Sequence, residues 1–174
     1  MQGLGMQGGK FEVQLDKLTE PSPHGMDSVQ FLVAGHPGAT PKPIGKVASG
    51  GELSRLSLAI AVTTSELGQA GTLIFDEVDS GVGGAVAETV GKLMRALGKD
   101  RQVLAVTHLP QVAACADQHY LVAKKRDKTG TSSTVQATDA SQREQEIARM
   151  LGGEKISATT MAHAREMLQA AATD

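Results

Sequence analysis

The sequence predicts an α/β fold, and three observations predict it. Two short apolar runs, Thr72–Phe75 and Gln102–Thr107, read as buried strands. Each ends in residues that carry chemistry, Asp76-Glu77 in the first and His108 in the second, and the carboxyl ends of strands are where α/β sheets bind ligands. Segments with helical apolar spacing, about Gly51 to Leu67 and about Gly83 to Leu97, alternate with these strands.

The composition sets bounds. The chain has 174 residues, 40% hydrophobic and 21% charged, which is one domain with enough apolar material for a core. A formal net charge of -2 and a pI near 6.2 argue against nucleic-acid binding by bulk electrostatics, so any DNA contact needs a local basic patch or another part of the protein. Aromatic residues make up 2% and tryptophan is absent, which leaves few platforms for stacking single-stranded bases. The one cysteine, Cys115, has no internal disulfide partner and sits in an apolar run, as a buried thiol of a reducing cytoplasm does. No stretch approaches the roughly 20 apolar residues of a membrane span and no secretory signal opens the chain, so a soluble, cytoplasmic protein is expected.

Taken in order, Met1 to Lys10 is glycine-rich, and Gly8-Gly9-Lys10 imitates the end of a P-loop. Leu4 stands where its first glycine belongs and Phe11 where Ser or Thr would ligate Mg²⁺, so the chain has no P-loop. Phe11–Leu15 and Ser28–Ala34 alternate as strands, joined by turn-forming Pro21-Ser22-Pro23-His24-Gly25 into a hairpin with a long loop. Gly35 to Gly45, rich in Pro and Gly, reads as an irregular connector. The helix of Gly51 to Leu67 is expected to bury Leu53, Leu56, Ile60 and Leu67, and that of Gly83 to Leu97 to bury Val86, Val90, Leu93 and Leu97 before Gly98 closes it. Leu109–Ala116 reads as a short helix. His119–Ala123 and Ser132–Ala137 form a hairpin with Lys124-Lys125-Arg126-Asp127-Lys128 at its tip, read as a solvated turn in preference to a DNA contact. Gln142–Leu151 and Ser157–Ala172 read as closing helices separated by Gly152-Gly153. His24, His36, His119 and His163 have no metal-ligand spacing.

Three junctions carry the chemistry. Ser49-Gly50-Gly51-Glu52 opens a helix, where unpaired N–H groups, the helix dipole and the missing Cβ atoms cradle a phosphate; the bland alternative is a turn with Ser49 as N-cap. Arg55, a cation near the helix start, is either a phosphate or inter-subunit contact or a solvated side chain. Asp76 and Glu77 divide naturally into a Mg²⁺ holder and a base for an attacking water, against the alternative of solvated acids at a strand boundary. His108 either polarises a phosphate or fills a loop.

The order of these motifs resembles the second half of an ABC-type ATPase head. Ser49–Glu52 is similar to the signature motif, with Ala48 where many members carry leucine; Asp76-Glu77 resembles the Walker B pair, Val78–Gly81 the D-loop and His108 the switch histidine. Lys46–Arg55, Phe75–Gly81 and Thr107–Ala113 are worded most like the bacterial SMC-like proteins of DNA double-strand-break repair and recombination, and the likeness covers nearly the whole chain. The resemblance implies the C-terminal lobe of an ABC/SMC-type head: a mostly parallel sheet flanked by helices, with antiparallel hairpins at its edges. Residues 1–174 are then a single partial domain, without P-loop or coiled coil. It implies ATP and Mg²⁺ as cofactors, with Asp76 helping to hold the metal, Glu77 and His108 catalytic, Ser49, Gly50, Gly51 and Glu52 at the nucleotide of an opposing head, and Asp79 coupling two sites. The implied partners are the N-terminal half of the same head, a second head in an ATP-dependent dimer, and DNA through the full-length protein, with no membrane. The implied location is the bacterial cytoplasm and nucleoid. An ABC transporter head, another SMC-like head, or a catalytically silent interaction domain on the same fold are the alternatives.

Overall fold

The computed structural model describes residues 1–46, 50–64, 70–127, 130–153 and 155–173. In chain order it contains β1 (Lys10–Ser22), β2 (Gly25–Ala34), β3 (Lys42–Pro43), α1 (Gly50–Thr63), β4 (Thr72–Phe75), α2 (Gly84–Leu97), β5 (Gln102–Ala105), α3 (Pro110–Ala114), β6 (Tyr120–Asp127), β7 (Gly130–Ala137), α4 (Ala140–Gly152) and α5 (Ala158–Thr173).

Helix α2 is the axis of the packing. Ala87, Val90, Met94 and Leu97 recur at helical spacing and are all buried, while Lys92 and Glu88 pair at 3.0 Å on the outer face. Leu58 of α1, Phe75 of β4, Val78, Val112 of α3, and Leu4 and Met6 from the amino-terminal segment complete this core. Gly91 sits where α3 passes: a Cβ there would lie 2.8 Å from Cys115 Sγ and 3.1 Å from the Gln111 carbonyl oxygen. Cys115 is buried, and its Sγ donates to Gln111 O at 3.4 Å.

A second core joins α3, α4 and α5 through small residues and Ile147. Helix α4 starts with a capping box in which the Asp139 side chain accepts from Gln142 N–H at 2.8 Å and Gln142 Oε1 accepts from Asp139 N–H at 3.0 Å. From the first turn of α4, Arg143 donates to the carbonyls of Ala113, Ala114 and Ala116 and so closes the carboxyl end of α3.

Among the described residues the sheets are three. Strands β4 and β5 pair in parallel, Thr72 opposite Gln102 through Phe75 opposite Ala105, and α2 covers one face. On the other face Ile74 is 72% exposed, with Leu104 and Val106 also open. The expectation that this strand is buried holds only for the side that carries Phe75. Strands β1, β2 and β3 form an antiparallel sheet in which Phe11, Val13 and Leu15 stand opposite Val33, Phe31 and Val29. That apolar face is open at its outer end, with Leu15 66% exposed and the Phe11 and Phe31 rings stacked 5.8 Å apart. Strands β6 and β7 form the second hairpin, with Val122 facing Val135, both exposed.

Several boundaries differ from expectation. The first hairpin turns tightly, Ser22 pairing with Gly25, because Gly25 supplies φ +110° and the excess length is absorbed by an irregularity between Lys17 and Ser22. The connector after β2 contributes β3. On α1 the buried stripe is Gly51, Arg55, Leu56 and Leu58, whereas Leu53 and Ile60 are exposed; the helix is rotated to put Arg55 inside. The expected Leu67 lies outside the described residues. No described helix is long and apolar enough to cross a membrane.

Two outcomes follow for stability. Gly91→Ala should destabilise the chain by about 1–3 kcal/mol through overpacking against α3, even though alanine is favoured in helices by about 1 kcal/mol, and urea unfolding measures the sign. Burial lowers the His119 pKa below the ordinary histidine range; the Arg143 charge adds to the effect and Glu146 opposes it. The unfolded chain therefore takes up the proton first. Stability should be full above about pH 6.5 and fall as pH drops from there through the folded value, and His119→Gln should flatten that slope in urea titrations.

Candidate functional site

Strand β4 carries the chain from the core to the surface. Phe75 is buried, then Asp76 and Glu77 emerge exposed, with Asp76 Oδ1 accepting from Glu77 N–H at 2.9 Å. Val78 returns to the core at 0% exposure and Asp79 follows it inward at 2%. This reversal holds Glu77 at φ +56°, a left-handed conformation that costs a non-glycine residue about 1–2 kcal/mol. Ser80 N–H donates to Glu77 O at 3.0 Å and closes the turn.

The start of α1 is latched onto this turn. Ser54 Oγ donates to Asp76 O at 2.6 Å, and Arg55 Nη1 donates to Ser80 O at 2.6 Å. A Cβ on Gly50 would come within 2.5 Å of Glu77 Oε2, and one on Gly51 within 2.7 Å of Ser80 O. Gly51, against the Ser80 backbone, therefore has a steric role inside the chain as well as the approach to an anion read from sequence, whereas the Glu77 carboxylate beside Gly50 is the end of an exposed side chain that can swing aside. Arg55 is buried, which overturns its solvated alternative; burial lowers its pKa and the Glu52 charge opposes that shift. Ser49, with Val47 and Ala48, lies outside the described residues.

Past β5, Thr107 and His108 meet Asp79. The Thr107 hydroxyl donates to Asp79 Oδ2, and His108 N–H donates to the same oxygen at 2.9 Å. His108 Nδ1 is 3.3 Å from it, with the His108 side chain 72% exposed and that of Asp79 3%. One run of contacts thus links Gly50, Gly51, Ser54 and Arg55 through Asp76–Ser80 to Thr107 and His108. Asp79 turns its carboxylate into its own chain. Gly8-Gly9-Lys10 leads into strand β1 rather than a helix, which is not P-loop geometry.

Ser54 and Thr107 are functional neighbours that the sequence does not single out. Each is a hydroxyl residue adjacent to a motif, and that adjacency was the available signal. Among the described residues no three His, Cys, Asp or Glu side chains cluster to hold a metal. Asp76 nevertheless offers an exposed hard oxygen, which fits Mg²⁺, an ion that takes one or two carboxylates and completes its shell with water and phosphate oxygens.

No protein-family model matches the sequence. The solved structure of an Smc head domain with a coiled coil and joint from Pyrococcus yayanosii superposes with TM-score 0.60 at 22% identity, covering 84% of this chain and 26% of that one. A chain from a study of ATP-driven dimerisation and DNA-stimulated activation of SMC ATPases gives TM-score 0.54 at 20% identity, covering 88% of each. The fold is that of SMC ATPase heads.

The sequence relatives are more particular. DNA repair protein RecN of Xylella fastidiosa (strain 9a5c) is 49% identical over 168 residues, 95% of this chain and 30% of that protein. RecN of Vibrio cholerae is 48% identical over 172 residues, 98% of this chain and 31% of that protein. The chain is a homologue of RecN along nearly its whole length, and it spans about 30% of the relatives it matches.

The close approach at Gly51 is testable. Gly51→Ala should displace the Ser80 turn and cost about 1–3 kcal/mol, while Gly45→Ala, where an added Cβ meets nothing within 4 Å, should leave the Ser80 and Glu77 amide resonances in place.

Proposed function

We propose that this chain is the C-terminal half of the ATPase head of a RecN-like, SMC-family protein acting in bacterial DNA double-strand-break repair and recombination. The observation that carries the reading is the half-covered parallel sheet. Parallel strands are found with both faces packed, yet here Ile74, Leu104 and Val106 present an apolar face to solvent, and the β1–β2 hairpin presents another. The natural occupant of these faces is the N-terminal half of the same head, which would bring the P-loop that residues 1–174 lack. Relatives more than three times as long as the matched region have chain enough for it.

In the completed head, Asp76 would hold Mg²⁺, which when bound offsets charge on the phosphate oxygens. Glu77 would orient or deprotonate the attacking water, and His108 would meet the γ-phosphate. Gly50, Gly51 and Glu52, at the positive end of α1, together with Ser49, which precedes them in sequence, would face the nucleotide of an opposing head, and Asp79 would lie between the two sites. The division of labour suits phosphoryl transfer, which is catalysed by positioning and by charge stabilisation. DNA would be engaged by the full-length protein in the cytoplasm, at the nucleoid.

ATP turnover by this chain, alone and titrated with a P-loop-bearing N-terminal half, tests the reading. Silence alone, activity on mixing, and a loss of about 100-fold or more with Glu77→Gln are expected. Ile74→Glu should leave the stability of the isolated chain within about 0.5 kcal/mol, because the site is exposed, yet block complementation. Turnover by the chain alone would overturn the half-head reading, and turnover indifferent to Glu77→Gln would favour a catalytically silent domain on the same fold.

A further inference from the structure

Two hydrogen bonds and one imidazole nitrogen converge on one buried carboxylate oxygen. Asp79 Oδ2 accepts from the Thr107 hydroxyl and from His108 N–H at 2.9 Å, and His108 Nδ1 lies 3.3 Å away. The Thr107 Oγ1 in turn accepts from Leu109 N–H at 3.0 Å, which polarises the hydroxyl toward Asp79. A buried carboxylate is costly unless hydrogen-bonded, and Thr107 with the His108 amide already supplies two bonds without the imidazole. The ring contact is therefore not needed to keep Asp79 buried; its effect falls on the ring. With its side chain 72% exposed and Nδ1 turned to Asp79, His108 has Nε2 as the nitrogen available to a ligand.

We infer that Asp79 is a positioning residue for His108: its carboxylate holds the histidine backbone in place and keeps the ring proton on Nδ1, so that Nε2 is presented outward. Thr107 shares the task, its hydroxyl donating to the same Asp79 oxygen while accepting from Leu109 N–H on the far side of His108. This places a cis role on Asp79, within the chain that carries the histidine. A second carboxylate is not required, and the exposed Asp76 and Glu77 remain available for other ligands. The consequence for turnover rests on the assignment of His108 to the γ-phosphate; the geometry of the pair does not.

Side-chain ¹⁵N spectroscopy of His108 tests the geometry on the chain alone, without nucleotide. The neutral ring should show the Nδ1-protonated tautomer, and Asp79→Asn, whose amide can donate to Nδ1, should move it toward the Nε2-protonated form. An Nε2-protonated ring in the wild-type chain would overturn the inference, and this measurement needs no variant to fold. In the completed head, Asp79→Asn should lower kcat by about 10- to 100-fold, as outer partners of catalytic groups commonly do. The loss should vanish in a His108→Ala background, whereas additive losses would overturn a role exercised through the histidine. If His108→Ala leaves turnover intact while the tautomer is as stated, the assignment of His108 to the phosphate fails and the Asp79–His108 geometry stands.

Discussion

The inward step of Val78 and Asp79 is the constraint on which the rest of the site depends. Val78 is fully buried against α2, and this forces the neighbouring Glu77 outward at positive φ. Asp79, carried in behind it, gathers Thr107 and His108 from the end of β5. The carbonyls on either side of the step, those of Asp76 and Ser80, receive Ser54 and Arg55 from α1. A single apolar anchor thereby sets the relative positions of a helix start, a pair of acids and a histidine that are far apart in sequence. The left-handed strain at Glu77 is sustained because the surrounding contacts over-determine it, as is common where a residue must present its side chain in a fixed direction.

The same economy appears in the glycines. On the proposed reading Gly50 and Gly51 permit close approach to an anion, and Gly51 also permits the close approach of the Ser80 carbonyl. These uses are compatible, because the N–H groups of the first helical turn point forward along the axis while the missing Cβ atoms face the turn. Gly91 plays the analogous part in the core, where α2 and α3 cross at a separation no side chain allows.

Against this well-determined junction stand the sheets. Leucine, isoleucine, valine and phenylalanine on β1, β2, β4 and β5 are patterned for burial and are left partly in solvent. At roughly 25 cal/mol per Å² of apolar surface, covering such faces is a substantial driving force for association. On the proposed reading, the acids and the histidine are in place, and the groups that would grip a nucleotide from its other side would come with whatever covers the sheet.

Much of this was legible in the chain of letters. Element types and their order, the termination of α2 at Gly98, the paired acids at the end of β4 and the histidine after β5 follow from apolar periodicity and from Gly and Pro punctuation, which are local and act through near neighbours. What periodicity could not supply was direction. A helix with apolar residues on several sides can rotate, and only packing against α2 and the Ser80 carbonyl turned Arg55 inward and left Leu53 and Ile60 outside. A strand's alternation marks two faces but not which one is covered, so the exposure of Ile74 was decided by the absence of a layer beyond it among the described residues. The resemblance places Asp79 near the site, yet the turn of its carboxylate toward Thr107 and His108 depends on residues 28 and 29 positions away. The sequence by itself determined which groups are present and which strand ends carry them, because those depend on local pattern. The tertiary structure alone decided which way each group points, because orientation is set by contacts between segments that the sequence holds apart.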